Sequence, residues 1–84
     1  MNQTISIGTI ASGVADAKTV DITVVPSGHR AIGICGWNVS GSSGATGIVL
    51  SRLYVNADNN QIEMRYRATL ASEGISITVN ILYE

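Results

Sequence analysis

The chain has 84 residues, 45% of them hydrophobic and only 13% charged, with five basic residues against six acidic ones for a net charge of −1. That near-neutral balance lacks the basic footprint of a nucleic-acid binder, and no run reaches the ~18 apolar residues of a membrane helix. A single cysteine excludes an intrachain disulfide, and one histidine with one cysteine falls short of the four ligands of a structural zinc site.

The period is two almost throughout, the pattern of half-buried strands whose successive side chains point to opposite faces. The first predicted strand, 4–10, alternates Ile5, Ile7 and Thr9 with Ser6, Gly8 and Ile10. "ASGVADA" leads into a second, 18–25, where Val20, Ile22 and Val24 alternate with Asp21 and Thr23. Pro26 ends it by removing a ladder donor, and "PSGHR" forms the connection. The third, 31–40 "AIGICGWNVS", and the fourth, 47–56 "GIVLSRLYVN", are apolar on both faces. They read as central strands, or as strands covered outside by another subunit. Between them runs "GSSGATG", a mobile connection with no large side chain. "ADNN" is a tight hairpin signal, since Asp and Asn tolerate positive φ and bond their own backbone. It leads into a fifth strand, 60–70, where Ile62, Met64, Tyr66, Ala68 and Leu70 alternate with Glu63, Arg65, Arg67 and Thr69. "ASEG" precedes a sixth, 74–83, with Ile75, Ile77, Val79, Ile81 and Tyr83 on one face. No stretch of ten residues has a helical period. One all-β domain, 1–84, with six antiparallel strands in a sandwich or barrel is the predicted fold.

A domain this small buries only about 60–65% of its unfolded surface. With no disulfide or metal to strengthen it, and with charge well below the roughly 25% of ordinary soluble domains, association with other copies is expected. "MNQTISIG" lacks the basic and apolar regions of a signal peptide, which predicts cytoplasmic production.

The catalytic inventory is thin. His29 stands alone in a turn, and the carboxylates share no evident wall, so no enzyme and no cofactor are expected. "NADNN" at 56–60 offers oxygens for a cation, but a hairpin turn explains those residues more simply, and no metal site is predicted. Cys35 lies in an apolar strand and reads as buried. Alternation places Cys35, Trp37 and Val39 on one face, which makes Cys35 and Trp37 candidate core or interface anchors. The polar faces of strands four and five carry more chemistry. Arg52 and Tyr54 share one face, and Glu63, Arg65 and Arg67 alternate along the other strand. Arginine presents a planar fork of donors to hydroxyls or carboxylates. Arg52, Tyr54, Asn56, Arg65 and Arg67 are the candidate ligand-binding residues, with Tyr54 stacking on a ring and 41–47 as an adaptable rim. A subunit interface that pairs Glu63 with a neighbour's arginine explains the same residues.

The "ISIGTI" and "KTVDITV" strands, the "PSGHRAIGICGWNVSG" step and the terminal "GISITVNILYE" hairpin resemble the small C-terminal receptor-binding domains of phage tail fibres. The step motif matches at Pro26, Gly28, Arg30, Gly36, Trp37 and Asn38, while His29 stands where an aromatic is usual. More distantly the six-stranded plan is similar to the H-type lectins, small β-sandwiches that assemble as trimers or hexamers and bind sugars. The resemblance implies an H-type lectin-like sandwich, a homotrimer or hexamer, a cell-surface glycan as partner and a place at the tip of a virion tail. A trimerisation or tail-assembly domain with no ligand of its own is the alternative.

Overall fold

A computed structural model describes all of residues 1–84. The elements are β1 (Asn2–Ile10), β2 (Ala15–Asp21), β3 (Ala31–Ser40), a turn of 3-10 helix (Ala45–Gly47), β4 (Ile48–Asn56), β5 (Gln61–Ala68) and β6 (Ser72–Tyr83). Every pairing is antiparallel. The strands form two three-stranded sheets, ordered β1-β6-β3 and β2-β5-β4. No ladder joins the sheets, but one apolar core draws on both. The chain is all-β, as its alternation predicts.

The core sits on the two central strands. Ile62, Met64, Tyr66 and Ala68 of β5 and Ile75, Ile77, Val79 and Ile81 of β6 are buried, and the residues between them face outward or lie partly covered. Each buried isoleucine or methionine stabilises the fold by roughly 1.5–3 kcal/mol relative to exposure. Flanking strands on both sides hold these two in register.

β2 begins three residues earlier than its hydrophobic pattern suggests and ends at Asp21. The apolar run continues, and Ile22 is buried. Its backbone, however, is taken elsewhere: Ile22 N donates to Asn60 O at 3.0 Å, and Thr23 N to Gln3 Oε1 at 2.9 Å. Burial and strand pairing part company there.

β3 and β4 are edge strands, and their two-sided apolar character comes from bulges. In β4, Leu50 pairs with Tyr66 and Arg52 with Arg65, which leaves Ser51 as an extra residue. A bulge swaps the faces of everything beyond it. Leu50, Leu53 and Val55 therefore all pack on the core, while Val49, Arg52, Tyr54 and Asn56 face out. β3 slips twice, between Ala31 and Gly33 and between Ile34 and Gly36. Its inner face carries Ala31, Ile34, Trp37 and Val39, which pair with Tyr83, Ile81, Val79 and Ile77.

Exposure overturns the expected burial of Cys35 and the core half of the core-or-interface expectation for Trp37. Cys35 is the extra residue of the second bulge; it is exposed, its thiol 3.6 Å from Asn80 O, and it shares no face with Trp37. Trp37 is no core residue either, being 60% exposed. It lies on the inner side of an edge strand, where the opposite sheet supplies no further strand to cover it.

The two open sides of the molecule differ. Along β1 and β2, side chains lace the sheets together. Buried Gln3 donates to Asp21 O at 2.8 Å and accepts from Thr23 N, and Lys18 Nζ donates to Ser6 O at 2.7 Å. Along β3 and β4 the seam is apolar: Ile34, Trp37, Leu50 and Leu53 line an open cleft with Ser51 and Arg52 at its rim.

The 41–47 connection is fastened. Ser42 N donates to Glu73 O at 2.9 Å, both Thr69 N and Thr69 Oγ1 donate to Gly47 O, and Ser72 Oγ donates to Gly44 O. A loop tied at each end to the β5–β6 turn is not the mobile rim that its composition suggests.

Candidate functional site

Charge is distributed unequally between the sheets. β1, β3 and β6 carry one charged side chain, Glu73 near the start of β6. Their outer face is built from small neutral groups such as Thr4 and Thr78, whose hydroxyls lie 3.0 Å apart. β2, β4 and β5 carry Asp16, Lys18, Asp21, Arg52, Glu63, Arg65 and Arg67. A site for a polar ligand belongs on this second sheet.

Its outer face is a ladder of four rungs across β4, β5 and β2. They are Asn56–Gln61–Asp21, Tyr54–Glu63–Thr19, Arg52–Arg65–Ala17 and Val49–Arg67–Ala15. All five predicted ligand residues, Arg52, Tyr54, Asn56, Arg65 and Arg67, stand on this one face. The Ser51 bulge is responsible for β4's share, since unbroken alternation would set Val49 and Arg52 on opposite sides.

The lower rungs form a closed hydrogen-bonded group. Asn56 Nδ2 donates to Glu63 Oε2 at 2.8 Å. The Tyr54 hydroxyl accepts from Arg52 Nη2 at 3.4 Å and lies close enough to the same carboxylate to influence its charge. Gln61 Nε2 donates to Asp21 Oδ1 at 3.1 Å. The amide of Asn56, then the Tyr54 hydroxyl, hold the Glu63 carboxyl below its ordinary range, because both favour its ionised form. The adjacent Glu63 carboxylate in turn raises the Tyr54 phenol, with burial adding to it. The Arg52 guanidinium lies 4.7 Å from the centre of the Tyr54 ring in a cation–π contact. That ring face is therefore occupied, which removes the simple picture of Tyr54 as a free stacking platform.

The upper rungs are different. Arg65 and Arg67 are exposed, and neither forms an ion pair. They line a shallow groove of about 450 Å³ whose other walls are Ala15, Asp16, Ala17, Val49, Ser51 and Tyr66. The one acid there, Asp16, accepts from Ala17 N at 2.8 Å.

The step motif lies elsewhere and works on the fold. Gly28 takes a left-handed φ of 84°, which turns the chain so that His29 N reaches Pro26 O. Arg30 then exchanges two backbone bonds with Glu84 and pairs with its carboxylate at 2.9 Å, and the His29 ring meets Tyr83 edge-on at 5.5 Å. In "NADNN", Asn56 Oδ1 accepts from Asn59 N and Asn60 adopts a φ of 53°.

Glu63 is the hub of this face, although its sequence neighbours show only that it alternates with arginines. The groove walls on β2, Ala15 and Ala17, carry no chemical signal at all; only the register reveals them. Comparison of the chain with known protein families, with curated proteins and with solved structures finds no match.

Proposed function

We propose that this protein is a carbohydrate-binding module that recognises surface glycans as a multivalent homo-oligomer, with its site on the outer face of β2-β5-β4. The observation that carries this reading is the groove beside Arg65 and Arg67. Two guanidiniums stand there without a carboxylate partner, next to a preorganised Tyr54–Glu63–Asn56 group. Sugar hydroxyls need both donors and acceptors at fixed positions; the arginine forks and Asn56 supply the first, Glu63 and Ser51 the second. Ala15 and Ala17 leave the floor low enough for a ring to approach.

A shallow, solvent-open groove binds weakly, and three linked copies gain roughly 10²–10⁴ in avidity over one. The uncovered Trp37 seam supports assembly, because a large apolar ring left 60% exposed in a chain this small is a natural contact for another copy. The likeness to phage tail-fibre tips and H-type lectins in the strand motifs agrees with a trimer at the end of a virion tail. The test is a glycan array probed with the immobilised, multivalent protein. Retention of a defined sugar set supports the reading, and no retention of any sugar overturns it.

The same seam favours a second reading, an assembly domain that binds only its own copies. It predicts a stable oligomer that retains no glycan, with Arg52, Arg65 and Arg67 sequestered between subunits.

A further inference from the structure

We infer that the ligand of this groove is an acidic sugar, whose carboxylate or sulfate is held between Arg65 and Arg67. The inference rests on the glycan-binding reading and narrows it to a chemical class.

Two guanidiniums line the groove, and a third, that of Arg52, is turned away onto Tyr54. Arg65 and Arg67 are two residues apart on β5 and point the same way, which spaces them by roughly 7 Å. Arg52 stands directly opposite Arg65 on β4, where side-chain origins are about 5 Å apart. Like charges at opposed positions of neighbouring strands destabilise a sheet. Arg52 is relieved in part by Tyr54 and by the nearby charge of Glu63, but Arg65 and Arg67 are not. Glu63 is engaged by Asn56 and Tyr54, Asp21 by Gln61, and Asp16 by its neighbour's backbone. Arg52 meets the Tyr54 ring and hydroxyl, and Arg65 and Arg67 form no side-chain hydrogen bond or ion pair. An external anion bridging Arg65 and Arg67 would satisfy both.

The rest of the face suits a sugar better than a bare anion. The groove, about 450 Å³, falls in the range of about 300–1,000 Å³ that small ligands occupy. The Ser51 hydroxyl lines it, and the Glu63 carboxylate stands one rung beyond Arg65 on the same face. A nucleic acid fits poorly, since three cations in a chain of net charge −1 offer no extended phosphate track.

The test uses the whole protein on immobilised polysaccharides in matched pairs: polygalacturonate against its fully methyl-esterified form, and dextran sulfate against dextran. Oligo-dT is the fifth surface. The inference expects retention on polygalacturonate or dextran sulfate, with the stronger of the two identifying carboxylate or sulfate. Retention should fall as salt rises. It should drop at least about tenfold in Arg65→Ala and in Arg67→Ala, and by less in Arg67→Lys, which keeps the charge and loses the fork. Both arginines are exposed, and unchanged circular dichroism would show that the variants fold; Glu73→Gln, on the other sheet, should bind like the parent. Equal retention of the acidic and neutral members of a pair would overturn the inference and leave the glycan reading standing. So would equal retention on oligo-dT, or retention unaltered in both arginine variants. Failure to retain any of these surfaces, together with an empty glycan array, would overturn both.

Discussion

Trp37 of β3 and Val79 of β6 occupy paired positions on the same face of one sheet, yet Val79 is fully buried and Trp37 is 60% exposed. β6 is central and β3 is an edge, so the indole overhangs the cleft formed with Leu50 and Leu53. If other copies cover this seam, Trp37→Ser removes the contact without opening the core. Light scattering should find the parent as an oligomer and the variant near the monomer mass of 8.8 kDa, with unchanged far-ultraviolet circular dichroism. A parent that is itself a monomer would overturn the assembly part of both functional readings.

Gln3 is the polar clasp on the opposite side. Its amide satisfies Asp21 O, at the last residue of β2, and Thr23 N, beyond the end of the ladder. Gln3→Ala should cost about 1 kcal/mol, the worth of hydrogen bonds to part-buried backbone groups. Gln3→Met, which keeps the bulk and loses the bonds, should cost nearly as much. Urea unfolding reads this as a lower midpoint at constant slope. A Met variant as stable as the parent would show that volume, and not hydrogen bonding, is what matters at this position.

The Tyr54–Glu63 pair gives stability two pH limits. Folding lowers the Glu63 carboxyl, so its contribution is present above the unfolded value near about 4.3 and is lost as pH falls through the folded one. Folding raises the Tyr54 phenol, so its contribution is present below about pH 10 and is lost as pH rises through the folded value. Melting temperatures of parent and Glu63→Gln should converge as pH drops from about 5 towards 3. Those of parent and Tyr54→Phe should converge above about pH 10. Parallel curves across both windows would mean that the pair is not formed in solution.

Gly44 fixes the loop between β3 and β4. It holds a φ of 76°, and a Cβ there would run into Ala71 O and lie 2.6 Å from Ser72 Oγ. Gly44→Ala should cost at least about 1–2 kcal/mol from the left-handed backbone alone. In a domain of this size that is a drop of at least ~4 °C in Tm. An unchanged melting temperature would show that the loop is not fastened as described.

The regular strands were legible and the irregular ones were not. In β5 and β6 the buried face follows from alternation, because two neighbours pin each strand. In β3 and β4 the bulges fall at Ile32, Cys35 and Ser51, residue types that announce no irregularity. One unmarked extra residue inverts everything after it, which is how Trp37 and Cys35 came to be grouped on a single face. β2 illustrates the reverse: hydrophobicity at 22–25 records burial, whereas the strand ends where Gln3 takes over the backbone. Within the site, the arginines and tyrosine were legible as chemistry on a shared face. The capture of Glu63 by Asn56, and the clearance over Ala15 and Ala17, depend on cross-strand register, which a linear pattern does not encode.

The bulges have one further consequence. A flat outer strand invites another chain to extend the sheet by backbone pairing, the first step towards fibrous aggregation. Three of the four outer strands here, β1, β3 and β4, are kinked by register slips. The fourth, β2, is regular but holds Lys18 turned towards the inter-sheet gap, onto Ser6 O, and an inward-pointing charge is another known guard of a strand edge. Every margin of a sequence rich in β-formers and poor in charge thus carries a feature that disfavours strand addition. If copies associate, contact is left to faces and side chains, which can close on themselves as a finite particle where strand addition would not.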